Sequence, residues 1–332
     1  MNEFIFLFNS VVISGAVIGA IYAMGAIGVT LIFSILRFAH FAHADLMTTG
    51  AFVTFFLTVM FPGVGPAVGL PTAFVMLPIA MVLTSLIAVG IDKAFYKPLR
   101  EHNVKPIVLV MASLGVTFML QGLVRLFAGT GSRNLFVDDR KEIFRIDLPW
   151  ELASRKIVIT EPQLLLFLFT IIAVVSLHYF LTRSRLGKAM RAMSDNADLA
   201  RVSGINVNVV VIVTWVIAGS LCAAAGTLLS LDVALKPDLS FNLLLPIFAA
   251  AIVGGVGHVY GAVLGGFVVG FAESLAVFNW AVVLRPLARA MEWDLPRSMA
   301  LVPTEYKITV PFFILIAILV LRPTGILKGK VI

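Results

Sequence analysis

His40, His43 and Asp45 stand within six residues of one another in "RFAHFAHADL", residues 37–46, between two long apolar runs. Two imidazoles and a carboxylate are the side chains from which metal sites and proton relays are made. On a continuous helix His40 and His43 share a face, while Asp45 falls about 160° round from His43. A metal would want its third ligand on the shared face. The remaining candidates are scattered: His102 lies in a basic loop, His178 and His258 are isolated, and Glu273 stands alone in an apolar run. No metal centre is expected, and a membrane enzyme using these three residues would have an incomplete constellation.

The elements around this stretch are dictated by composition. Of the 332 residues, 60% are hydrophobic and 13% charged, with a mean hydropathy of +1.03, whereas a soluble domain carries about 25% charged residues. The chain is therefore expected to lie in a membrane. Nine apolar runs approach the roughly 20 residues a helix needs to cross hydrocarbon: 10–33, 45–61, 70–91, 106–128, 163–181, 208–231, 242–256, 261–278 and 308–321. The seventh is short, so eight crossings plus a re-entrant segment fit as well as nine. Barrel strands would show segments of about 10 residues with alternating polarity, and these runs are continuous. The expected fold class is all-α, a polytopic transmembrane helical bundle of 8–9 membrane segments, one of them Gly-interrupted or re-entrant.

A formal charge of +7 and a pI near 9.7 could indicate nucleic acid. The basic residues, however, sit in short clusters between apolar runs, which fits a lipid bilayer and no nucleic acid. A single cysteine, Cys222, leaves no internal disulfide. The start, "MNEFIFLFNS", has Glu3 and no basic segment, so a removable signal peptide is not expected. Lys93, Lys97, Arg100 and Lys105 mark the loop 92–105 as cytoplasmic, as do five basic residues in 182–207 and Arg322, Lys328 and Lys330 in the tail. The segment 129–161 balances six basic residues against six acidic ones and 279–307 is similarly mixed, so both are placed outside. The N-terminus is then outside and the C-terminus inside.

No GxxxxGK[ST] phosphate loop occurs, and no cytoplasmic loop is long enough for a nucleotide-binding domain. Drive by ATP would need another chain. The candidate contact is the loop 182–207. Between Leu186 and Gly204 it mixes good helix formers with Ala189, Met190, Ala192, Met193, Ala197 and Ala200 at helical spacing, predicting a short helix along the inner face. Asp195, Asn196 or Asp198 is placed to cap its second half, and Gly204 suits an end that needs a positive φ. Spacing alone leaves two readings, an interfacial helix held against anionic lipid or a helix that docks a partner.

A second interruption follows the run 242–256, in "GGVGHVYGAVLGG". Paired interruptions in two halves of a chain point to a midplane site. Gly254, Gly255 and Gly257 either free carbonyls toward a cavity or let helices pack closely. The first stretch has two matching readings. It is a loop at the inner interface, with Arg37 reaching headgroups and the histidines in water, or a broken helix whose Phe38, His40, Phe41, His43 and Asp45 line a path or its gate. Glu273 is expected to pair across helices or to reach water at a helix end. Tyr22, Thr30, Ser85, Ser113, Thr117, Gln121, Thr214, Ser220 and Thr227 are expected to donate interhelical hydrogen bonds. An ion-coupled carrier would need a relay of carboxylates or histidines deep in several runs, and the chain offers only scattered groups.

"RLGKAMRAMSDNADLARVSGINV" resembles the cytoplasmic loop of permease subunits of ATP-binding-cassette importers of the branched-chain amino acid type, with its pattern GxxxRAxxxNxxxAxxxGI. The matching residues are Gly187, Arg191, Ala192, Asn196, Ala200, Gly204 and Ile205. "GAIYAMGAIGVTLIFSILRFAHFAHADLMTTGAF" is similar to that family's first two spans and "AAIVGGVGHVYGAVLGGFVVGFAESL" to its Gly-rich closing motif. Two departures stand out. Where the family often has glycine before the acidic residue, this chain has Ala44, and the external loop 129–161 matches less clearly.

The resemblance implies one transmembrane permease domain over 1–332 in the bacterial inner membrane. It would translocate branched-chain or other small apolar amino acids delivered by a periplasmic solute-binding protein. The implied partners are a second homologous permease and two cytoplasmic ATPase subunits, which would bind the ATP. No catalytic residue and no cofactor would belong to this chain. Gly187, Arg191, Ala192, Asn196, Ala200 and Gly204 would form the coupling segment. The alternative is an ion-coupled secondary transporter or a channel for small polar solutes such as amides or urea.

Overall fold

Inside hydrocarbon a backbone must close its own hydrogen bonds, and the apolar runs of this chain do so as helices. The computed structural model describes residues 2–137, 140–146, 156–291, 293–322 and 324–327. In chain order the helices are α1 (Asn2–Leu36), α2 (His43–Met60), α3 (Thr72–Glu101), α4 (Pro106–Ala128) and α5 (Glu161–Arg183). The short α6 (Arg185–Asp195) and α7 (Ala197–Val202) follow. Then come α8 (Val207–Asp232), α9 (Leu244–Gly254), α10 (Val259–Val277), α11 (Ala281–Ala290) and α12 (Thr309–Leu321).

Among the described residues seven helices, α1 to α5, α8 and α10, are long and apolar enough to cross a membrane, and α9 and α12 are shorter apolar helices. With the 3-10 turn Phe241–Leu243 that leads into it, α9 rises about 22 Å, short of the roughly 30 Å of hydrocarbon. The seventh run is thus a short helix, ended by Gly255 at φ 110°. Local chemistry sets the other ends. Pro106 opens α4 and Gly129 (φ 80°) closes it. At the start of α5 the Thr160 amide donates to Gln163 Oε1 at 3.2 Å.

α1 and α8 form the centre of the bundle, with side chains buried along almost their whole inner lengths. α1 crosses α10 on small residues. A Cβ on Gly266 would strike the backbone of Ala23, and one on Gly270 the backbone of Gly19. Contact this close gains dispersion energy that larger side chains would forfeit. α4, α5 and α12 lie outside and turn Phe118, Ile171 and Phe313 outward, as helices facing lipid should.

The loop 129–161 adds one short hairpin to the helical bundle. β1 (Ile143–Ile146) pairs antiparallel with β2 (Ile157–Thr160), with Ile143 opposite Thr160. Residues 138–139 and 147–155 of this loop, like Lys328 and Lys330 of the tail, lie outside the described residues. The mixed loop 279–307 carries the amphipathic α11.

Candidate functional site

The loop 182–207 carries two helices meeting at an elbow, where one short helix was expected. Ser184 caps α6, its hydroxyl accepting from the Gly187 amide at 2.8 Å. Asn196 begins α7, its Oδ1 accepting from the amides of Asp198 (3.1 Å) and Leu199 (3.0 Å). Of the three candidate caps, Asn196 is the one used. Gly204 ends the segment at φ 83°, as its position required. At Gly187 a Cβ would collide with the Phe180 carbonyl and the Leu181 backbone, so glycine lets α6 fold back tightly beneath α5.

Met190, Met193 and Ala200 are buried against the bundle, while Arg191, Ala192, Asn196, Leu199 and Val202 face outward. Leu199 is 65% and Val202 86% exposed. Two apolar side chains on an outward basic surface form a knob that water does not favour.

Arg37 joins this elbow to the first interruption. It closes α1 in the left-handed conformation (φ 57°), which aims its guanidinium at the last turn of α6, where it donates to the Ser194 carbonyl at 2.6 Å. A cation at a helix C-terminus satisfies a free carbonyl and complements the helix dipole.

Beyond Arg37 the interruption is packed shut. His40 and His43 are 2% and 0% exposed, which overturns the reading that places the histidines in water. His40 Nε2 and the Tyr96 hydroxyl on α3 lie 3.0 Å apart. Tyr96 stacks on Trp215 of α8 with centroids 5.5 Å apart, Trp215 meets the His40 ring edge-on at 4.9 Å, and Phe38 packs on Tyr96 at 5.3 Å. His43 rests on Gly28, where a Cβ would collide, and its ring nitrogens lie 3.4 and 3.5 Å from Cys222 Sγ. Asp45 Oδ1 accepts from Gln121 Nε2 at 2.9 Å. Among the described residues no group of three or more His, Cys, Asp or Glu side chains is placed to hold a metal ion.

Phe41 ties the two interruptions together. Its ring stacks on Phe248 of α9 at 5.2 Å and 28°, and its amide donates to Ser113 Oγ at 3.1 Å. Three buried polar atoms here, His40 Nδ1, Asp45 Oδ2 and Trp215 Nε1, have no hydrogen-bond partner. Each such atom costs on the order of 1–3 kcal/mol, so the packed break holds energy that another arrangement can recover. Gly254 packs backbone to backbone on Gly261, and the left-handed Gly257 (φ 88°) forms the turn into α10.

One cavity lies beside the elbow and another at the far end of α1. An inner one of about 860 Å³ lies between the elbow, through Arg191, Ser194 and Asp195, and the Gly257–His258 turn. It brings a coupling candidate and a gate candidate to one space. Phe38, His40, Phe41, His43 and Asp45 are absent from its lining. An outer cavity of about 300 Å³ contains Glu273. The Tyr22 hydroxyl donates to Glu273 Oε2 at 2.7 Å and Lys307 Nζ lies 3.3 Å from Oε1, so the lone carboxylate is paired across helices, as one reading expected. Sequence reasoning missed Lys307, because it belongs to a loop 34 residues further on.

Two inter-helix turns that pack on each other inside a bundle of membrane-spanning helices, one of them fastened to a two-helix elbow, are parts for moving a solute across a bilayer rather than for transforming it. The class is a polytopic membrane permease. The chain belongs to the family described as branched-chain amino acid transport system / permease component, whose model matches residues 11–319. A permease of this family is a transport protein, not an enzyme. The high-affinity branched-chain amino acid transport system permease protein LivH of Escherichia coli K12 is 29% identical over 98% of this chain and 97% of its own length. BraD of Pseudomonas aeruginosa, named for the same transport system, is 28% identical over 95% and 94%. Among solved structures, PsaBC from Streptococcus pneumoniae in complex with Fab aligns over 96% of this chain and 92% of that one, with 14% identity and a TM-score of 0.47.

Proposed function

We propose that this chain is one permease subunit of an ATP-driven importer in the bacterial inner membrane, passing branched-chain amino acids released by a periplasmic solute-binding protein. A second, related permease completes the path, and two cytoplasmic ATPase subunits supply the drive. The observation that carries the reading is the elbow. One face is buried in the bundle through Met190, Met193 and Ala200, and the other offers Arg191, Asn196, Leu199 and Val202 to a groove outside. An interfacial helix held by lipid would need neither the Gly187 fold-back nor the fastening to Arg37. The relatives' names support branched-chain cargo, and they favour this reading over an ion-coupled carrier.

In this mechanism the ATPases push the elbow when they close on nucleotide, and the rigid α6–α7 unit transmits the displacement through Arg37 to residues 37–42. Phe38, His40, Phe41, His43 and Asp45, with Gly254, Gly255 and Gly257, act as the gate. Here they are a packed hinge whose rearrangement parts Phe41 from Phe248. The chain itself carries no catalytic residue and no cofactor, and the ATP chemistry belongs to the partner subunits. Copurification of the importer subunits with Leu199→Asp and Val202→Asp tests the reading. ATPase association should be lost while the permease still inserts, and association at the wild-type level would overturn it.

A further inference from the structure

The outer cavity has no part in the coupling described above. It sits near the start of α1, whereas the elbow meets the end of α1, so the two are separated by about 30 Å of helix. With the elbow on the cytoplasmic side, the cavity faces the periplasmic side.

Its chemistry is unusual for a span. The Glu273 side chain is only 3% exposed, and a carboxylate taken from water is tolerated where partners hold it. Tyr22 holds one oxygen from behind, and the half-exposed Lys307 reaches the other from the loop above. Next to it, Ser274 lines the same cavity with a buried hydroxyl that has no hydrogen-bond partner, although a helical serine ordinarily bonds back to its own turn. Phe6, Ile18 and Phe278 give the same cavity an apolar wall. A fixed anion, a movable cation, an unsatisfied hydroxyl and an apolar wall around about 300 Å³ are complementary to a small zwitterion with an apolar side chain.

We propose that this cavity is a receiving site for the cargo on its way from the binding protein. It takes an α-amino acid by its ammonium at Glu273 and its carboxylate at Lys307 and Ser274, with the side chain against Phe6, Ile18 and Phe278. The proposal rests on the importer reading and adds a position to it. On entry the ammonium displaces Lys307 Nζ from Oε1, and the freed lysine closes on the carboxylate. Both charges stay paired throughout, which keeps binding weak enough to pass the cargo on. The headgroup of phosphatidylethanolamine carries the same pair of charges. The compact volume and the apolar wall favour the free amino acid.

The test uses the complete importer in phosphatidylglycerol nanodiscs, without binding protein or nucleotide, and reads ligand binding by saturation-transfer NMR. Leucine should bind. 3-Methylbutylamine, which lacks the carboxylate, and 4-methylpentanoate, which lacks the ammonium, should each bind about tenfold more weakly, as for one lost charge-assisted contact. Glu273→Gln should abolish the leucine signal, and Ser274→Ala, which leaves the ion pair intact, should weaken it several-fold. Absent leucine binding, or equal binding by both variants, overturns the receiving site whether or not uptake proceeds. Displacement of leucine in phosphatidylethanolamine nanodiscs, with lipid copurifying only when Glu273 is present, makes the occupant a lipid and also overturns it. Leucine binding with the expected pattern in an importer that shows no binding-protein-dependent uptake would sink the importer reading instead.

Discussion

Arg37 and Ser194 are 157 residues apart in the chain, yet the guanidinium of one donates to the carbonyl of the other at 2.6 Å. The contact joins the last turn of α6 to the first residue beyond α1. In the proposed mechanism this contact carries displacement of the elbow to the histidine-bearing stretch.

Replacing Arg37 by glycine separates the backbone from the guanidinium. Glycine adopts φ 57° freely, relieving a strain of roughly 1–2 kcal/mol for an L-residue. Thermal stability should stay near wild type and the ATPases should still copurify. Leucine uptake in proteoliposomes should fall about tenfold, the scale of one charged hydrogen bond. Unchanged uptake would leave Arg37 with no role in transmission.

The two glycines of the elbow should respond differently to substitution. Gly187→Val drives a side chain into the Phe180 carbonyl and the Leu181 backbone, which cannot yield, so α6 should lift at a cost of about 1–3 kcal/mol. Lower ATPase copurification and a lower melting temperature would be read together. Gly204 has open space around it and a φ of 83°, so Gly204→Asn should be tolerated and Gly204→Val should not, because only the former enters the left-handed region readily.

Tyr22→Phe removes the hydroxyl that holds Glu273 Oε2 and leaves that oxygen without its donor. A hydrogen bond to a charged group is worth about 1.5–3 kcal/mol, so the unfolding midpoint in detergent should drop measurably. No drop would mean that water replaces the hydroxyl, and that the cavity is wetter than its lining implies.

Phe41 and Phe248 should be coupled energetically as well as stacked. In a double-mutant cycle of Phe41→Leu and Phe248→Leu, read on thermal stability, the interaction should be about 0.5–1.5 kcal/mol. Additive effects would show that the two interruptions move independently.

Periodicity made much of the elbow legible. The buried Met190, Met193 and Ala200, the capping of the second half by one of three residues and the positive φ of Gly204 are all consequences of local spacing. That Asn196 is the cap, and that it divides the segment in two, was decided by backbone geometry at that residue. The histidine stretch was less readable. Hydropathy cannot distinguish an imidazole in water from one enclosed by Tyr96, Trp215 and Cys222, since those neighbours come from helices more than 50 residues away. Short strands were missed for a similar reason, because Ile143–Ile146 acquires its partner only from across residues 147–156.

Sequence alone determined that this chain is a stack of apolar helices with two breaks and one amphipathic loop, because hydrocarbon forces each segment to close its hydrogen bonds within itself. Such bonds depend only on residues a few positions apart. Which helices touch is a different matter. Glycine-rich faces permit several close crossings, and only the packed bundle selects the one that sets Tyr22 beside Glu273, Phe41 on Phe248 and Arg37 at Ser194.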